Sequence, residues 1–78
     1  MPRYTALHWA ARRGDSPLVR IIASSTGYYI NARTSGGYTP LHLACLHGHH
    51  GVQAQLREMG ADERLMSNGG HTSKTLRE

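Results

Sequence analysis

Two stretches of this 78-residue chain, Tyr4-Thr5-Ala6-Leu7-His8-Trp9-Ala10-Ala11-Arg12-Arg13-Gly14 and Tyr38-Thr39-Pro40-Leu41-His42-Leu43-Ala44-Cys45-Leu46-His47-Gly48, align position for position at an offset of 34 residues. Six of the eleven pairs are identical, where unrelated segments of ordinary composition share fewer than about one. Self-similarity at this period belongs to arrays in which one supersecondary unit stacks on the next, because a single unit cannot bury its own apolar face.

Within each copy the residues read as helix, tight turn, second helix and Gly-rich loop. Thr39 stands as an N-cap with Pro40 as the first helical residue, where its missing N–H costs nothing; Leu41, Ala44 and Cys45 follow at helical spacing and Gly48 ends the helix. The first copy repeats this with Thr5 as cap, Leu7, Ala10 and Ala11 on the packed stripe, and Gly14 as the stop. Ser16 is read as the cap of the next helix, with Pro17 in its first turn and Leu18, Val19, Ile21 and Ile22 as a broad, well-buried face. The corresponding helix of the second copy keeps only Val52 and Leu56 as a stripe, with Gln53, Gln55 and Arg57 between and beyond them, and reads as a helix that has lost core.

Between the copies, Ile30 to Tyr38 contains the pair Gly36-Gly37, which permits the positive backbone angles of a tight hairpin. Asn68-Gly69-Gly70-His71-Thr72 repeats the signal 33 residues later and begins a third unit that Thr72-Ser73-Lys74-Thr75-Leu76 does not complete. The step of 34 from Thr5 to Thr39, against 33 from Thr39 to Thr72, places one extra residue in the Ser24 to Tyr29 connection. The chain is thus read as one domain, 1–78, with units at 4–37 and 38–70 and a partial unit or polar cap at 71–78.

A domain of this size buries too little surface to be strongly stable without help, and the usual staples are missing. One cysteine makes no intramolecular disulfide, and no paired CxxC framework is present, which fits a reducing compartment, cytoplasm or nucleus. Met1-Pro2-Arg3-Tyr4 has no apolar run behind it, so no secretory signal is expected, and Leu18 to Ala23, interrupted by Arg20, is far too short to cross a bilayer. The net charge of +4 favours acidic partners without naming one.

Period, the Thr-Pro-Leu-His step, the small-residue pair and the following Gly resemble the ankyrin repeat, and Gly60-Ala61-Asp62 resembles the loop after its second helix. The resemblance covers Tyr4 to Asp62 and continues in register to Thr72; the wording of Ile30 to Thr39 also resembles the ankyrin region of the sosondowah family. It implies an all-α solenoid of stacked helix-turn-helix units with β-hairpin loops, two repeats plus a degenerate third start. It also implies that His8 and His42 bridge neighbouring units by hydrogen bonds and that His49 caps the helix after it. The chain departs from the family at Gln53, Gln55, Arg57 and Glu63-Arg64-Leu65, where apolar residues and a Val-Asn-Ala-like step are usual.

Other chemistry is weighed against that scaffold. His42 and Cys45 lie three apart, as in an imidazole activating a thiol, but Cys45 falls in the packed pair and its counterpart in the first copy is Ala11. His42, Cys45, His47, His49 and His50 form the densest set of metal-ligand types; the repeat signature accounts for His42 and the turn for His49, so no metal or other cofactor is expected. Arg12, Arg13 and Arg33 with Tyr4, Trp9, Tyr28, Tyr29 and Tyr38 could stack on and neutralise nucleic acid, yet no recognition helix or strand signature accompanies them. Trp9, where the other copy has Leu43, reads as half-buried packing. Gly36-Gly37 and Gly69-Gly70 lack P-loop spacing, and no carboxylates are paired, so no catalytic constellation is present.

The sequence therefore reads as a non-enzymatic protein-protein interaction module, a monomer or part of a longer array, with no membrane segment and no specific nucleic-acid site. In ankyrin proteins a partner is read by hairpin tips and the end of the first helix. Carried over by register, these positions are Tyr4, Arg12 and Arg13; Arg33, Ser35, Tyr38, Leu46 and His47; and Asn68 and His71. A basic, aromatic surface of this kind fits an acidic segment, with Tyr and Arg as anchors. The alternatives are a structural piece of a longer ankyrin array with no ligand of its own, and a weak basic-patch nucleic-acid binder whose affinity falls steeply with salt.

Overall fold

Helices of seven to nine residues are marginal in isolation, so their ends and their neighbours must hold them. The computed structural model describes residues 5–24 and 29–72, and within these lie α1 (Ala6–Arg13), α2 (Ser16–Ala23), α3 (Pro40–Leu46) and α4 (His50–Glu58). Thr5 and Thr39 cap α1 and α3 in the same way. Each threonine hydroxyl accepts the backbone N–H of the histidine three residues on, 3.4 Å at His8 and 3.2 Å at His42, while that histidine's Nδ1 accepts the threonine's own N–H at 3.0 Å. The imidazole fills the place that Glu or Gln takes in a capping box.

The other starts and stops differ from expectation in detail. Asp15, not Ser16, caps α2: its Oδ1 accepts from the N–H of Leu18 at 3.2 Å. Ser16 is the first helical residue, and its hydroxyl donates to Gln55 Oε1 at 2.9 Å instead. α3 stops at Leu46 with His47 as C-cap, one residue before Gly48.

α1 packs on α2 and on α3, α3 on α4, and α2 on α4, giving two helix-turn-helix units side by side in two layers. Their shared core is Leu7, Ala10, Ala11, Val19, Leu41, Ala44, Cys45, Val52 and Leu56. The small pairs Ala10-Ala11 and Ala44-Cys45 let backbones approach, and each buried leucine contributes roughly 1.5–3 kcal/mol of apolar burial.

Two readings of the outer helices are corrected. Of the apolar run in α2 only Val19 is buried; Leu18 and Ile22 are partly covered and Ile21 is 67% exposed, because the four side chains fan over about 160° of the helix and α1 and α4 cover only part of that arc. The glutamines of α4 mark a polar joint, not lost core. Gln55 also donates to the carbonyl of Ser16 at 3.1 Å, tying α4 to α2, and buried Gln53 donates to the carbonyl of Ala44 at 3.4 Å.

The loops repeat as faithfully as the helices. Thr34 N–H donates to the carbonyl of Tyr38 at 2.9 Å, Gly37 N–H to that of Thr34 at 2.9 Å, and Tyr38 N–H to Thr34 Oγ1 at 3.2 Å. Thirty-three residues on, Ser67, Gly70 and His71 make the same three bonds at 2.8, 2.9 and 3.3 Å. The third unit thus has its hairpin in full. Neither loop forms a strand among the described residues, so the described architecture is all-α with tight hairpin turns.

A candidate partner-binding face

The two capping histidines also hold the units together. With Nδ1 accepting from a backbone N–H, the ring proton sits on Nε2, which donates to a main-chain carbonyl of the next hairpin: Tyr38 for His8 at 2.8 Å and His71 for His42 at 3.0 Å. Each imidazole is thus locked as one neutral tautomer between two backbone segments. Burial pushes both pKa values below the ordinary histidine value. The carbonyls of Tyr38 and Ala32 around His8, and of His71 and Leu65 around His42, pull partly the other way, and the Arg33 charge lowers His42 further. His49, read as the cap of α4, makes no capping bond. Its Nε2 donates instead to the carbonyl of Arg12 at 2.8 Å, pinning the α3–α4 turn to the end of α1, where its ring lies against Gly14.

These clamps set out nine of the ten candidate residues. Tyr4 lies outside the described residues. Arg12 and Arg13 are exposed at the end of α1, and the His49 bond holds them beside Leu46 and half-buried His47 at the end of α3. The Arg12 guanidinium lies 5.4 Å from the centre of the Trp9 ring, which is 52% exposed, a cation–π arrangement that leaves both groups on the surface. At the other end of these helices stand Arg33, Ser35, Tyr38, Asn68 and His71. Asn68 joins the hairpins: its N–H donates to the carbonyl of Gly36 at 2.9 Å and its Nδ2 to that of Ser35 at 2.8 Å. The Tyr38 ring meets His42 edge-on at 5.9 Å. The candidates therefore fall into two clusters, separated by the length of an eight-residue helix, about 12 Å.

Charge is distributed unevenly over the chain. The ion pairs among the described residues, Arg57 with Glu63 at 3.7 Å and Arg64 with Asp62 at 3.4 Å, lie after and at the end of α4. The Asp62 carboxyl is held below its usual value chiefly by the backbone N–H of Arg64. Arg12, Arg13 and Arg33 are exposed and form no ion pair among the described residues.

The pair His42 and Cys45 has no geometry for nucleophilic chemistry, since Cys45 is buried in the core and both ring nitrogens of His42 are committed to backbone groups. The rings of His47 and His49 stack 6.3 Å apart, but among the described residues no three ligating side chains gather around one point. No helix among the described residues is long and apolar enough to cross a membrane. Sequence reasoning missed Gln55, Ser16 and Asn31, whose Oδ1 accepts the N–H of Asp62 at 2.9 Å; all three are polar residues bridging units, and only register against the neighbouring copy could have shown it.

The comparisons with known proteins agree with this geometry. The family described as "Ankyrin repeats (3 copies)" matches residues 2–67. Ankyrin repeat domain-containing protein SOWAHB of Homo sapiens is 48% identical over 54 residues, 63% of this chain and 7% of that protein. Its Xenopus laevis counterpart is 42% identical over 73 residues, 86% of this chain and 9% of that protein, which bears out the resemblance to the sosondowah family. Protein phosphatase 1 regulatory subunit 27 of Homo sapiens is 34% identical over 71 residues, 91% of this chain and 46% of that protein. The chain thus spans a small part of the SOWAHB proteins and about half of the phosphatase subunit. It belongs to the ankyrin-repeat family, whose units mediate protein-protein interaction.

Proposed function

We propose that this chain is a non-enzymatic binding module of the cytoplasm or nucleus that takes an acidic segment of a partner protein across its hairpin tips and the ends of α1 and α3. The observation that carries this is the set of exposed guanidinium groups, Arg12, Arg13 and Arg33, which form no ion pair among the described residues and are carried on backbone that His8, His42, His49 and Asn68 hold by hydrogen bonds. Cations held in both clusters, Arg33 in the one that contains Tyr38 and Arg12 with Arg13 in the other, meet the carboxylates of an acidic segment with little ordering cost. A regulatory-subunit role, which the name of the phosphatase relative carries, is compatible with such a module.

The test is isothermal titration against an acidic sequence selected from a peptide array. Replacing Arg12, Arg13 and Tyr38 together by alanine is expected to weaken binding at least about tenfold. Unchanged affinity with intact helicity would sink the assigned face.

A second reading, a piece of a longer array with no ligand of its own, draws on Trp9 and Ile21. These are 52% and 67% exposed, whereas the residues at the same register in the second unit are Leu43, only 7% exposed, and Gln55, bonded to Ser16. Thermal melts of the chain alone and with appended repeats separate the readings. A cooperative melt of the chain alone is the outcome expected for a self-sufficient module; a melt that becomes cooperative only with added units favours the fragment.

A further inference from the structure

Behind the hairpin tips, where the two incoming loop arms pass the start of α1, lies an open cleft of about 680 Å³ lined among the described residues by Thr5, Tyr29, Asn31, Ala32, Arg33 and Leu65. That volume lies within the range of small-ligand and side-chain pockets. Part of its wall is tied down by hydrogen bonds. Ala32 and Leu65 occupy equivalent register positions, and their carbonyls face His8 and His42. The Asn31 carboxamide fastens the two arms together through the N–H of Asp62.

The chemistry of the lining is lopsided. Tyr29, 64% exposed, with Ala32 and Leu65 supplies an apolar surface. Thr5 Oγ1 is engaged by His8. Arg33 is the one charged residue of the lining among the described residues. The neighbouring carboxylate, Asp62, is turned to Arg64, accepting from its backbone N–H at 2.9 Å and its Nε at 3.4 Å. A lone guanidinium beside an apolar wall is complementary to a carboxylate carried next to an aliphatic or aromatic side chain.

We infer that this cleft is a binding site for an acidic peptide: its carboxylate pairs with Arg33, and the adjoining apolar side chain lies between Tyr29 and Leu65. The inference rests on the acidic-partner reading and adds, to the contacts at the hairpin tips and the ends of α1 and α3, one at the back of the hairpins. It brings in Tyr29 and Leu65, residues that register with ankyrin binding positions does not select.

The whole chain is titrated with a fluorescein-labelled, C-terminally amidated peptide of alternating glutamate and leucine. The same peptide with glutamine for glutamate, and that neutral peptide with a free C-terminal carboxylate, show whether side-chain or terminal carboxylate is recognised. Expected are saturable anisotropy for a carboxylate-bearing peptide, amide shifts at Ala32 and Leu65, and a loss of at least about tenfold in Arg33→Glu, with a smaller loss in Tyr29→Ala. Arg33→Ala serves as a second variant, with far-UV circular dichroism checked for each. Equal binding of the amidated neutral peptide, or full affinity in both Arg33 variants, overturns the site. Loss of binding in Arg12→Glu and Arg13→Glu with Arg33→Glu unaffected overturns the cleft while leaving the acidic-partner reading intact. No binding of any acidic peptide to the unaltered chain removes both.

Discussion

Replacing Gly37 by alanine will destabilise the chain by about 2–4 kcal/mol, against about 1 kcal/mol for the same replacement at Gly70. Both glycines occupy the same hairpin position in the left-handed region, at φ +83° and +81°, so the backbone penalty of adding a Cβ is common to the two. Their surroundings differ. A Cβ at Gly37 would come within 2.6 Å of Asn68 Oδ1 and 2.7 Å of the Asn68 backbone nitrogen, whereas at Gly70 nothing lies within 4 Å. Backbone cannot swing aside as a side-chain tip can, so the Gly37 variant must push the second hairpin away and give up the Asn68 bonds to Gly36 and Ser35. Urea unfolding of the two variants measures the difference. Equal losses would mean that the hairpins are not coupled in solution.

Acidification supplies the second large effect. His8 and His42 titrate below 6.5 in the folded chain and at about 6.5 once unfolded. Above 6.5 both states are neutral at these rings and stability is complete. As pH falls below 6.5 the unfolded chain takes up protons that the folded chain refuses, and stability declines until the folded values are passed. Each ring contributes a slope of at most about 1.4 kcal/mol per pH unit within that window. The structural reason is first burial, which disfavours the charged ring; a proton on Nδ1 would in addition face the N–H of Thr5 or Thr39. The Asp62 contribution falls in a separate window, below its ordinary value of 3.8. Melting temperature between pH 8 and pH 5 should therefore hold level and then fall. In His8→Gln, glutamine can keep the capping box but not the bond to the Tyr38 carbonyl, so the fall should be shallower and start from a lower plateau. An unchanged pH profile in that variant would remove His8 as a source.

How much of this was legible depended on whether the cause lay within one copy or between two. Thr5 and Thr39 were readable as caps from the helical residues that follow them; that His8 and His42, three residues on, close each cap was not read. The acceptor of each histidine, a carbonyl about 30 residues away, came only with the family resemblance. Ile21 was misread because apolarity marks a face that can be buried without saying what covers it. Gln53 and Gln55 were misread for the opposite reason: polar residues look like surface until a partner on another helix is known. In the candidate face, Arg12, Arg13, Arg33 and Asn68, selected by register alone, are exposed. The cleft between Tyr29 and Leu65 joins residues 36 positions apart and has no sequence signature.

The bonds that hold this stack together end largely on main chain. His8, His42, His49 and Asn68 all donate to carbonyls, those of Tyr38, His71, Arg12, Gly36 and Ser35. Because any amino acid supplies a carbonyl, the side chains at Tyr38, His71, Arg12 and Ser35 can be exchanged without removing an acceptor. Recognition and assembly are therefore separable by mutation, and a combinatorial library randomised at those four positions on this backbone could be selected for new ligands while its members keep the same folded frame.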